Sequence, residues 1–198
     1  MIRKNDLRVR KTKVKISHAF WKLLREKGYA QITIKQLLAE AQINRTTFYA
    51  HYADKEALLN SEEDELFNDL LQIVKKAPVE EVTTRNIDGQ KLQEYYHRVA
   101  SYVYEHRERL AILLGEKGDP SFLSKLARVG RKVWLQTGVM SSLNGSKDYV
   151  FRGMIGLMTN LIGEWAERDF KETPDEFEMI LDKLVSPILL NDDLFNEQ

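Results

Sequence analysis

Residues 32 to 59 read ITIKQLLAEAQINRTTFYAHYADKEALL, and the caps within this stretch decide the fold. Thr33 is followed three residues later by Gln36, the pattern of a capping box, in which two side chains satisfy free amides at a helix start. The helix it opens is brief, with Leu37, Leu38 and Ala41 as core candidates. Gln42 and Ile43 leave room only for a short turn. Asn44, a favoured N-cap, then opens a helix beginning Arg45, Thr46, Thr47, and Asp54 caps the one after. Two short helices set this close together, after a longer first helix, match the helix-turn-helix plan, whose second helix lies in the DNA major groove.

That longer helix shows in Ile16, Ala19, Phe20, Leu23 and Leu24, an apolar stripe at helical spacing that ends at Gly28. Arg8, Arg10, Lys11, Lys13 and Lys15 precede or open it. The chain has no net charge, yet residues 1 to 55 hold 13 Lys or Arg against 4 Asp or Glu, and the remainder holds 17 against 26. So basic a block is attracted to polyanions such as DNA, although a solvated tail on an ordinary fold would carry the same charge.

Side-chain chemistry separates these readings. Arg45 can donate two hydrogen bonds to guanine, Asn44 can pair with adenine, and Thr46 and Thr47 offer hydroxyls and methyls. Tyr49, His51 and Lys55 come where a helix end or the next turn reaches phosphates, and Thr33 stands at a helix start with free amides. Each has a plainer role open to it: Thr33, Asn44 and Asp54 as caps, Phe48 and Tyr52 as core, His51 as an ordinary surface histidine. Spacing, charge and the polar cluster all select the same fifty residues, which favours DNA.

Beyond residue 54 the apolar residues still recur at three and four, and four prolines and ten glycines punctuate the whole chain, so an all-α fold of about nine helices is expected. Leu59, Leu66, Leu70 and Ile73 mark a helix ending by Pro78, with SEEDE (61 to 65) as its solvated face. Further helices are expected over Leu92 to Val103, Leu110 to Leu114, and Phe122 to Trp134. The run GMIGLMTNLIG (153 to 163) is apolar on nearly every side, and its glycines suggest close backbone contact with another helix. Thr173 and Glu176 box a last helix with the stripe Phe177, Ile180, Leu181, Leu184 and Ile188, which Pro187 should kink or end. These last two apolar surfaces exceed what one small domain covers and predict a homodimer. A pocket lined by some of Tyr102, Trp134, Met154 and Met158 would suit a small apolar effector.

The stretch 32 to 59 also resembles the signature of TetR-type transcriptional regulators: capped helix, tight turn, hydroxyl-rich recognition helix, aromatic-x-His-aromatic exit and acid-Lys-Glu opening of the next helix. The resemblance implies DNA contacts at Thr33, Asn44, Arg45, Thr46, Thr47, Tyr49, His51 and Lys55, with Phe48 and Tyr52 packing. It implies a DNA-binding domain over 1–55. It also implies a larger helical domain over 56–198 that binds an effector and dimerises through its last two helices. Two departures stand out. Gln42 occupies a turn position where glycine is common, and Arg45 one where a small residue is frequent, which suggests a different operator.

Other classes find little support. There is no cysteine, so disulfides and thiolate metal sites are excluded. The basic N-terminus lacks the apolar run of a secretory signal, and the 11 residues from Gly153 to Gly163 fall short of the roughly 20 that span a bilayer. A cytoplasmic protein without membrane contact is expected. No Gly-rich phosphate loop, HExxH pair or nucleophile elbow appears, and Glu94-x-x-His97 has no second copy to complete a di-iron bundle. Asp192 and Asp193 lie too near the chain end to anchor a metal. No enzyme activity, cofactor or metal is expected. The reading is a homodimeric, ligand-responsive repressor on a palindromic operator in double-stranded DNA. The alternatives are a helical dimeric adaptor, or an activator working through a protein partner.

Overall fold

The computed structural model describes residues 4–80, 84, 88–115 and 118–194, and ten α-helices carry the fold there. They are α1 Lys4–Lys27, α2 Ile34–Ala41, α3 Arg45–Tyr49, α4 Lys55–Val74, α5 Gly89–Glu105, α6 Arg107–Leu114, α7 Phe122–Gln136, α8 Val139–Ser142, α9 Lys147–Glu167 and α10 Pro174–Leu189. None of these helices is long and apolar enough to cross a membrane.

The first three helices form as the caps dictate. The Thr33 hydroxyl accepts from the Gln36 amide while the Gln36 side chain accepts from the Thr33 amide, which closes the capping box. Asn44 Oδ1 accepts from the Thr47 amide at 2.7 Å, and Asp54 Oδ1 from the Ala57 amide at 2.7 Å. Gln42, in the turn between α2 and α3, adopts the left-handed conformation at φ 52° and ψ 49°. A residue with a Cβ is strained there by about 1 kcal/mol. Phe20, Leu24, Leu37, Phe48 and Leu58 are almost fully buried and lock α1, α2, α3 and the start of α4 together.

The same core continues into the remaining helices. There α10 packs along α5, α7 against α4, and α9 against α6 and α7. At the corner between α9 and α10, Asp169 and Phe170 both have positive φ, and Trp165 stacks on Phe177 with ring centres 3.9 Å apart.

Several expectations need correcting. SEEDE is only partly a solvated face: Ser61, Asp64 and Glu65 are exposed, but Glu62 and Glu63 are 4% and 0% exposed, because Ser17 and Trp21 of α1 bond Glu62 on one side of α4 and Lys125 of α7 bonds Glu63 on the other. The run 153–163 is only the middle of α9, and a short helix, α8, precedes it. Within the protomer the glycines of α9 are not points of close helix contact: a Cβ placed on Gly153, Gly156 or Gly163 would have nothing within 4 Å. Nor is α9 covered all round, since only Phe151, Met154 and Trp165 are buried. Pro187 lies inside the last turn of α10, which runs on to Leu189. It lies so near the helix end that little hydrogen bonding is lost.

Candidate nucleic-acid interface

The turn between α2 and α3 brings the start of α3 to the surface while Phe48, one turn later, anchors it. Asn44, Arg45 and Thr46 are exposed and Thr47 is half-buried. The Arg45 guanidinium lies 5.4 Å from the centre of the Tyr49 ring, with Nη2 3.4 Å from the Tyr49 hydroxyl, so an exposed tyrosine braces an exposed arginine. The His51 ring is half-buried beside Tyr52.

Three of the candidates already have work inside the chain. Asn44 caps α3 through Oδ1, which leaves its Nδ2 hydrogens free of that bond. The Thr33 hydroxyl both accepts from the Gln36 amide and donates to Gln36 Oε1 at 3.0 Å. Lys55 Nζ donates to the carbonyls of Tyr29 and Ile32, at 2.8 and 3.0 Å, and sits 4.2 Å from the centre of the Tyr29 ring. Burial holds the Lys55 amine below the ordinary lysine pKa. These two bonds leave one of its three hydrogens.

Behind this surface, α4 carries two adjacent carboxylates that sequence reasoning missed. Glu62 Oε2 accepts from Ser17 Oγ at 2.7 Å and Trp21 Nε1 at 2.6 Å, both on α1. Glu63 Oε2 accepts from Lys125 Nζ of α7 at 2.6 Å, and the same ammonium donates to Asp119 at 2.8 Å and Asn60 at 3.0 Å. Adjacent residues of α4 thus bond to helices on opposite sides of it. Burial pushes both glutamates above the usual carboxylate range, and their hydrogen bonds partly reverse this. Nothing in a run of five polar residues marks which two are buried.

A cavity of about 180 Å³ opens among α4, α5, α7, α9 and α10. Trp134, Met154 and Met158 line it, as expected. Tyr102 does not: its hydroxyl donates to the Leu66 carbonyl at 2.8 Å, and it borders a separate void of about 30 Å³. Its helix turns it toward α4 rather than into the larger space. Tyr95, which the sequence reading left unassigned, does line the main cavity, and burial pushes its phenol up to about 12.

His97 Nδ1 lies 3.1 Å from Glu178 and 3.2 Å from Asp175, and these three are the set among the described residues whose atoms could jointly hold a metal. His97 and Asp175 are exposed and Glu178 is half-buried, so solvent reaches the set. Glu94 instead accepts from Gln90, so no bundle-type Glu-x-x-His site forms.

A capped helix pair whose second member shows Arg45 and Thr46 to solvent, mounted on a larger helical body, defines a helix-turn-helix DNA-binding protein. The family of bacterial regulatory proteins of the tetR type matches residues 16–61, and a transcriptional regulator C-terminal region matches residues 90–187. The chain belongs to the TetR family of transcriptional regulators, which are DNA-binding proteins and not enzymes.

An uncharacterized HTH-type transcriptional regulator of Bacillus subtilis, YxbF, is 46% identical over 57 residues. That match takes in 28% of this chain and only 15% of the relative. A TetR transcriptional regulator from Streptococcus agalactiae superposes with a TM-score of 0.63 at 24% identity, over 91% of this chain and 97% of the other. NalD, the secondary repressor of the MexAB-OprM multidrug efflux pump in Pseudomonas aeruginosa, gives 0.63 at 17% identity, over 96% and 100%. At these identities the likeness to the solved structures is one of fold.

Proposed function

We propose that this protein is a cytoplasmic, homodimeric repressor whose residues 1–55 bind a palindromic operator and whose residues 56–198 dimerise and hold an effector. The observation that carries this reading is the exposed start of α3, with Arg45 and Thr46 presented ahead of buried Phe48. In this reading Asn44, Arg45, Thr46 and Thr47 meet bases, while Thr33, Tyr49, His51 and the remaining hydrogen of Lys55 meet phosphates.

The dimer is supported by a stripe on α9. Tyr149, Gly153, Gly156, Asn160 and Gly163 recur at spacings of four and three, so they share one face, and Tyr149 is 80% exposed. Met179, 70% exposed, adds an apolar residue from α10. A second copy packed on this face would hold two recognition helices about one DNA turn apart, roughly 34 to 36 Å.

An effector site is supported by the cavity, whose lining includes no charged side chain, so a neutral, largely apolar ligand fits it. Binding that favours a dimer spacing unlike that of the operator would lower DNA affinity by the difference in binding free energy between the two states. Repression is the outcome named for NalD, one of the proteins that share this fold.

The experiment is a gel shift with the DNA upstream of the protein's own coding region, at several salt concentrations, alongside a solution mass. Sequence-selective, salt-sensitive binding by a dimer is expected. A monomer at micromolar concentration would remove the dimer, and binding without sequence preference would favour an adaptor role.

A further inference from the structure

Ile16 is the first buried residue of α1, and the helix begins at Lys4. About three turns therefore stand ahead of the packed part, roughly 18 Å of helix at 1.5 Å per residue. Arg8, Arg10, Lys11, Lys13 and Lys15 are all exposed on it, as are the apolar Leu7, Val9 and Val14. None of the five cations pairs with an acidic side chain among the described residues.

The rest of the helix behaves differently. Further along α1, Lys22 meets Glu40 at 2.8 Å and Arg25 meets Glu108 at 2.8 Å. Acidic residues equal basic ones over the chain, so counter-charge is not scarce, yet residues 7–15 contain no acidic residue. The C-terminal turns of α1 are tied to α6 through Arg25 to Glu108 and through Arg109, whose guanidinium lies 5.2 Å from the centre of the Trp21 ring. The first turns thus point away from that contact. They also precede residue 16, where the match to the family's DNA-binding region begins.

We infer that residues 7–15 are a second DNA-contacting element, a basic helical arm that grips backbone phosphates outside the major-groove half-site. The inference rests on the DNA-binding reading above but not on which residues of α3 read bases. Arg8, Lys11 and Lys15 fall on one face, and Arg8 to Lys15 spans about 10 Å, so the three cations can meet neighbouring backbone phosphates. Contacts of this kind carry no sequence information; they add affinity, and they make it depend on salt.

The test uses the full chain and a fluorescein-labelled duplex of arbitrary sequence about three helical turns long, read by anisotropy over a range of KCl concentrations. One variant is R8Q/K11Q/K15Q. A control, R128Q/K132Q/K171Q, removes the same charge from exposed positions elsewhere in the chain. Circular dichroism checks that both keep their helix. The arm variant should lose at least about tenfold in affinity and flatten the slope of log affinity against log salt by about 2.7 per arm, the value for three lost phosphate contacts. The control should keep the wild-type slope. An unchanged slope in the arm variant, or equal flattening in the control, overturns the arm while leaving the helix-turn-helix reading intact. A wild type that binds no DNA removes both. Arm-dependent binding to phosphatidylglycerol vesicles with unchanged DNA slopes would assign the segment to a lipid surface and overturn the proposal.

Discussion

Replacing Lys125 with methionine removes the one ammonium that links α4 to α7, and the structure sets the size of the effect. Its three hydrogens go to Glu63, Asp119 and Asn60, and the Glu63 side chain is 1% exposed with Oε1 free of any hydrogen bond. The variant leaves a carboxylate buried without counter-charge, a change that costs about 3 to 5 kcal/mol in a dry interior. Lys125 is itself 25% exposed, so water can partly replace it, and the lower end, about 3 kcal/mol, is expected. In urea that moves the midpoint down by roughly 1 to 2 M at constant slope. The sign of the pH dependence is fixed too. Burial pushes Glu63 up and Lys125 pulls it part of the way back. Without Lys125 the glutamate sits higher still, and a carboxyl raised in the folded state loses stability as pH rises through its folded value. The penalty of the variant therefore shrinks as pH falls from 8 toward 5. Asp119 does not confuse this window. In the wild type burial pushes it up, but hydrogen bonds from Lys125 and Ser121 outweigh that and hold it at about 2, so its contribution is lost only as pH falls from about 4 toward 2; in K125M the bonds from Ser121 remain. The double variant K125M/E63M removes the Glu63 charge and should recover most of the loss, leaving only Asp119, 12% exposed and still bonded by Ser121, without its ammonium. A loss below about 1 kcal/mol in K125M, or the same loss at pH 5 and pH 8, would refute the reasoning.

Further outcomes follow from other sites. Gln42→Gly should raise stability by about 0.5 to 1 kcal/mol in urea melts, since glycine adopts φ 52° without strain. Gly118→Ala should destabilise strongly, because a Cβ there would collide with the carbonyl oxygens of Leu113 and Ile112; a thermal melt reads the loss. Arg45→Ala should cost about 1 to 3 kcal/mol of operator affinity and relax base preference at one position, measured by binding to a panel of single-base operator variants. Tyr95→Phe should weaken thermal stabilisation by n-decanol, an uncharged probe with a hydroxyl, while leaving that by decane unchanged, because no described residue bonds the Tyr95 hydroxyl in the cavity.

The features that local chemistry controls were legible in the sequence. Thr33 with Gln36, Asn44, Asp54, and Thr173 with Glu176 mark helix starts because a capping side chain bonds amides two or three residues away, and no distant residue is needed. The spacing of α2 and α3, and with it the exposed start of the recognition helix, follows from those caps. Periodicity at three and four gave the other long helices, although α8 has only four residues and was too short to show any. Tertiary structure decided what depends on the angle at which one helix meets another. SEEDE offers a polar residue at every position, so only the packing of α1 and α7 selects Glu62 and Glu63 for burial. Tyr95 and Tyr102 lie seven residues apart on α5, close to one helical face, yet Tyr95 meets the cavity and Tyr102 meets the Leu66 carbonyl of α4. The glycines of α9 pointed to a close neighbour, and within this chain the fold supplies none among the described residues, because a sequence records which surface is apolar but not what covers it.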